Sequence, residues 1–164
     1  MSETLSSLLN LLEREHEIYC DLLKSSDSKR KAIVEGNVDE LDRIVSEEEK
    51  MIESINILEK QREELVAAKS SDLGIAPEEL TLDRWPSEDD LLQTGLEKQA
   101  ALRETLSELD RNNQINARLI EVHLEYIDYL FEAATSTTET TAYAADGTVE
   151  ARKNQASNLF DETM

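Results

Sequence analysis

Ile33-Val34-Glu35-Gly36-Asn37-Val38-Asp39-Glu40-Leu41 stops one helix and starts the next. Gly36 suits the left-handed residue that follows a helix C-terminus. Asn37, with Glu40 three residues later, has the capping-box pattern of a helix start. A three-residue break between two long helices turns the second back along the first as an antiparallel hairpin. Upstream of the break, Leu5, Leu8, Leu12, Tyr19, Leu22, Ser26 and Ile33 share one face of a helix spanning about 2–34. Downstream, Val38, Leu41, Ile44, Val45, Met51, Ile52, Ile55, Leu58, Leu65 and Val66 line one side of a helix over about 38–69.

The segment 70–87 reads as a connection, because Gly74, Pro77 and Pro86 interrupt it. Pro77-Glu78-Glu79-Leu80 suits one helical turn with proline in first position. Trp85, the only tryptophan, is expected to plug this connection onto the helices. Ser87 and Asp90 then cap a third helix over about 88–135. Its stripe runs Leu92, Gly95, Gln99, Leu102, Leu106, Leu109, Asn113, Asn116, Ile120, His123, Ile127 and Leu130. Alternating steps of three and four residues hold one helix face towards a partner helix. The expected fold is all-α: an antiparallel helical hairpin plus a long third helix, as a three-helix bundle or coiled coil, with a flexible C-terminal tail. The seams can close within one chain or across a homodimer.

Length separates the third helix from the others. At about 1.5 Å per residue the first two span about 50 Å each and the third about 70 Å. It therefore overhangs the hairpin unless it kinks, and Gly95 is the place for a kink. Its last third is also too apolar for one seam. Leu119, Val122, Tyr126, Tyr129 and Leu130 cover one sector, while Ile120, Leu124, Ile127 and Phe131 cover another. Such a girth suits a central bundle position or a partner surface.

Composition narrows the function. The chain has 164 residues, with 37 acidic against 17 basic side chains and a net charge of −20. Phosphate backbones and anionic membrane surfaces would repel it. A solvated acidic face accounts for this charge, and steering of a basic partner is the alternative. No apolar run is long enough to cross a bilayer. Cys20 is the only cysteine, so no internal disulfide can form, and a packed thiol in a reducing cytoplasm is expected.

Chemical motifs are sparse. Glu13 and His16 have the Glu-x-x-His spacing of helical di-iron sites, but the second copy such a site needs is missing. A helical metalloenzyme is therefore the weakest reading. No phosphate loop, nucleophile elbow or cysteine–histidine cluster occurs, so no enzyme, cofactor or metal is expected. Gln99, Asn113 and Asn116 interrupt the third stripe, where amides set register or recognise a partner backbone. The tail, 136–164, holds Thr137, Thr138, Thr140 and Thr141 but only Val149, Leu159 and Phe160 as large aliphatic or Phe residues. It cannot bury enough apolar surface by itself to offset its ordering entropy. Segments of this kind order on binding, or are simply spent termini.

The turn at residues 33–41 resembles that of the FlgN family of flagellar export chaperones. The likeness continues in Leu73-Gly74-Ile75 with Leu82, in Asn113-Gln114-Ile115-Asn116-Ala117-Arg118-Leu119-Ile120, in Tyr143 with Gly147, and in Leu159-Phe160-Asp161. The resemblance implies a cytoplasmic chaperone that holds the hook–filament junction proteins FlgK and FlgL unpolymerised and brings them to the export gate protein FlhA. It places client contacts towards the C-terminal end, and a C-terminal tyrosine at the gate: Tyr143, or Tyr126 or Tyr129. The candidate partner-binding residues are Asn113, Asn116, Leu119, Val122, Tyr126, Ile127, Leu130, Phe131, Tyr143, Leu159 and Phe160. The client's terminal helix would pack on the end of the third helix, and the tail would order over it. The competing reading is a structural coiled-coil protein that self-associates through the surplus apolar face.

Overall fold

A computed structural model describes residues 2–86, 90–136, 142–143 and 149–150. Three helices dominate: α1 (Ser2–Glu35), α2 (Val38–Leu73) and α3 (Asp90–Ser136). The chain divides into two compact units, Met1–Leu119 and Ile120–Met164, so α3 belongs to the first as far as Leu119 and to the second from Ile120.

The α1–α2 turn forms as its residues require. Gly36 has φ +65°, its N–H donates to Ile33 O at 3.1 Å, and the Asn37 N–H donates to Ala32 O at 2.9 Å. These paired bonds are a Schellman closure, which satisfies carbonyls the helix end would leave orphaned. Asn37 Oδ1 then accepts from the Glu40 N–H at 3.1 Å to open α2. The reciprocal half of the capping box is absent. The Asn37 N–H is already spent on Ala32, and the Glu40 carboxylate forks onto Arg43 at 2.6 and 2.8 Å.

Helix α2 is longer than the sequence suggests. It runs through Ser70 to Leu73 before Gly74, at φ +68°, closes it by the same device. The Gly74 N–H reaches Ser71 O at 3.2 Å and the Ile75 N–H reaches Ser70 O at 3.1 Å. Ser70 is tolerated inside the helix because its hydroxyl bonds back to Ala67 O at 2.9 Å. Two short 3₁₀ turns follow, Pro77–Glu79 and Leu82–Arg84. The Ser87 cap proposed for α3 lies outside the described residues.

The principal core gathers Leu5, Leu8, Leu9 and Leu12 of α1, Leu80, Leu82 and Trp85 of the connection, and Leu102 of α3. Trp85 is 3% exposed, so the connection is part of this core, as its lone tryptophan suggested. Helix α3 runs through Gly95 without a break. A Cβ there would lie 2.8 Å from Leu9 Cδ2 and 3.1 Å from Leu82 Cδ2. The glycine therefore admits two leucines against the α3 backbone, which is close approach rather than flexibility.

In the second unit the described tail residues pair as an antiparallel ribbon, β1 (Ala142–Tyr143) with β2 (Val149–Glu150). Beyond Ser136 these four are the described residues of the tail, and they are extended. Tyr143 and Val149, directly paired, are both residues that favour strands.

Candidate functional site

What the helices spend on one another determines what is left over for anything else. On α1 the stripe of apolar residues is interrupted by Glu15 and Lys29, each facing an opposite charge on α2. Glu15 is 2% exposed and accepts from Arg62 Nε at 3.2 Å; Lys29 pairs with Glu48. Between one pair and the other, both helices advance two heptads in opposite directions, as an antiparallel register demands. Ser25 Oγ also donates to Glu48, at 3.0 Å. Burial pushes the Glu15 carboxyl above its usual range, Arg62 opposes this, and Glu59 adds to it.

Towards α3 the ties are amides. Asn116, 2% exposed, donates from Nδ2 to Ser26 O at 2.8 Å and accepts from Arg30 Nε at 3.3 Å. Arg30 Nη2 also donates to Asn112 Oδ1 at 2.8 Å, and Asn112 Nδ2 donates to Ser26 Oγ at 3.0 Å. The amide of Asn116 is thus used inside the first unit, which supports its register-setting role over recognition of a partner backbone. Asn113 is exposed. Asn112 and Arg30, which complete the network, are not on the apolar stripes. Asn112 adjoins the stripe amide Asn113, whereas Arg30 carries no such signal.

The Glu13–His16 pair of the metal reading has other uses. His16 Nε2 shares a hydrogen bond with Thr105 Oγ1 at 3.0 Å, and Glu13 pairs with Lys98 at 2.9 Å. Among the described residues no group of three or more His, Cys, Asp or Glu is placed to hold a metal ion. Cys20 is free and half-buried.

The stripe on α3 changes character along its length. Gly95, Leu102 and Asn116 are buried, Leu92, Gln99 and Leu109 are half-buried, and Leu106 is exposed; Leu119, beside the stripe, is half-buried. In the second unit, Ile120, Val122, Leu124, Tyr126, Ile127, Tyr129, Leu130 and Phe131 are all between 38% and 66% exposed. Of the predicted partner-binding residues, Val122, Tyr126, Ile127, Leu130 and Phe131 therefore stand together in the open on one helix. Tyr143 lies in β1, and Leu159 and Phe160 lie outside the described residues.

Isolated apolar side chains on a surface are ordinary, but eight within twelve residues of one helix are not. Fold and surface together define an all-α helical-bundle protein with an uncovered apolar helix face. Residues 1–151 match the family model described as FlgN protein, and the chain belongs to this family of flagellar export chaperones. No curated protein and no solved structure matches it. Among the described residues no helix is long and apolar enough to cross a membrane.

Proposed function

We propose that this protein is a cytoplasmic, non-catalytic chaperone for the hook–filament junction proteins FlgK and FlgL, holding them unpolymerised and passing them to the export gate protein FlhA. The observation that carries the reading is the open apolar face of α3 from Ile120 to Phe131. The amphipathic C-terminal helix of a client would lay its apolar side over Val122, Tyr126, Ile127, Leu130 and Phe131. Leu119 would extend this face, and Asn116 would act from within by holding α3 in register. Asn113 would lend an amide from the exposed side of α3. Tyr143, Leu159 and Phe160 would order over the client, and Tyr143, or Tyr126 or Tyr129, would meet the gate. Ordering a polar tail costs free energy, which keeps affinity low enough for release.

The test is a pull-down from lysate of the source organism with the full chain, a copy ending at Thr135, and Leu130→Gln. The full chain should recover a hook–filament junction protein. The truncated copy should lose it, and Leu130→Gln should hold it about tenfold less tightly, equivalent to about 1.4 kcal/mol. Recovery of nothing but the chain itself would favour the self-associating coiled coil instead.

A further inference from the structure

The first unit also has an opening of its own. An open groove of about 230 Å³ takes residues from all three helices. Leu22 of α1 and Ile55 of α2 are buried at its bottom, with Tyr19 and Leu109 half-buried along it. Ile52, in the middle of α2, is 48% exposed at its mouth. An aliphatic side chain left open beside two buried ones marks an unfilled packing position. Three helices that contribute to one apolar groove also match a four-helix bundle lacking its fourth member.

The groove carries charge at both ends, and the ends differ. Glu48 is balanced by Lys29. Glu59 lies near enough to the Tyr19 phenol to raise its pKa, and among the described residues it forms no ion pair. Arg62, three residues further along the same helix, is engaged with Glu15 at 3.2 Å, and Lys60, next to Glu59 in the sequence, is exposed. Burial pushes the Tyr19 phenol upward, Glu59 and Glu15 push it further, and Arg62 opposes them.

We propose that this groove docks a basic amphipathic helix of a partner protein, seating an aliphatic side chain over Ile52, Ile55 and Leu109 and a Lys or Arg against Glu59. Glu59 lies one helical turn beyond Ile55, about 6 Å along the axis. A cation three or four residues from the aliphatic anchor of the incoming helix therefore reaches it. Complementary charge selects this occupant. A second copy of the chain would bring another −20 against the same carboxylate. A small molecule would be poorly enclosed by an open groove.

The test uses a fluorescein-labelled synthetic helix with leucines at i, i+3 and i+7 and arginines flanking them, and a twin with every arginine replaced by glutamate. Binding to the full chain is read by anisotropy at about 0.15 M salt, where distant surface charges are screened. The arginine peptide should bind and the glutamate twin should not. Ile52→Gln should weaken binding at least about tenfold and Glu59→Gln about threefold, with unchanged helical circular dichroism because both positions are accessible. Equal affinity for Ile52→Gln and the unsubstituted chain would mean that the peptide senses only overall negative charge, and would overturn the proposal. So would failure of the arginine peptide to bind. Leu130→Gln discriminates the two surfaces. A peptide weakened by that change but not by Ile52→Gln is bound at the end of α3, which also overturns the proposal.

Discussion

Glu15 and Arg62 show how an ion pair with one buried and one half-buried member carries two opposing effects. Taking the Glu15 carboxylate out of water costs more than Arg62 returns, so its pKa is raised in the folded protein. A carboxyl with a raised folded pKa contributes stability below its unfolded value of 4.5, and that contribution is lost as pH rises through the folded value. Glu15→Gln retains an acceptor for Arg62 and should leave stability at pH 7 unchanged or slightly higher. Arg62→Ala strands the buried charge and should cost about 3 kcal/mol at pH 7, and less at pH 4 where Glu15 gains a proton. Urea denaturation at both pH values measures this; equal costs for the two variants would show that the pair acts only through its packing. At this scale the sequence was only partly legible. Glu15 and Lys29 fall on the apolar stripe of α1, and charges in a stripe announce charged partners. Which charges answer them depends on the register of α2, and no single residue encodes that.

At the scale of elements the helices were legible because their signals are local. Periodicity, Gly36 and the Asn37 cap act within a few residues of where they stand. The end of α2 was less so. Ser70 and Ser71 read as loop residues, yet the helix continues to Leu73 because Gly74 closes it there. The close packing at Gly95 was not legible for the same reason: it comes from Leu9 and Leu82, both far away in sequence. Gly95→Ala should gain about 1 kcal/mol of helix propensity and lose about 1–3 kcal/mol to crowding. A net loss of up to about 2 kcal/mol in the melting transition is expected; a gain would mean that Leu9 swings aside freely.

For the whole molecule, every buried residue among those described lies at or before Asn116. Removing 136–164 should therefore leave helical circular dichroism intact and shift the melting temperature by no more than about 2 °C, less than a 1 kcal/mol change would give. A larger fall would make the tail part of the stability of the fold rather than a binding segment. An acidic chain with 37 carboxylates should also bind basic partners faster at low salt, through long-range steering.

The sequence by itself determined the class, the hairpin, the plugging tryptophan and the surplus of apolar residues towards the end of α3, because each follows from residues close together along the chain. Tertiary structure decided which amides are spent inside the first unit, which charges on the stripes are answered, and where apolar side chains stay uncovered. Asn116 and Asn113 look alike in sequence, three residues apart on one stripe. Only packing against Ser26 and Arg30 buries the first and leaves the second in water. The physical reason is that hydrogen bonds and burial between helices depend on how the helices are rotated against each other, and that rotation is a property of the packed core.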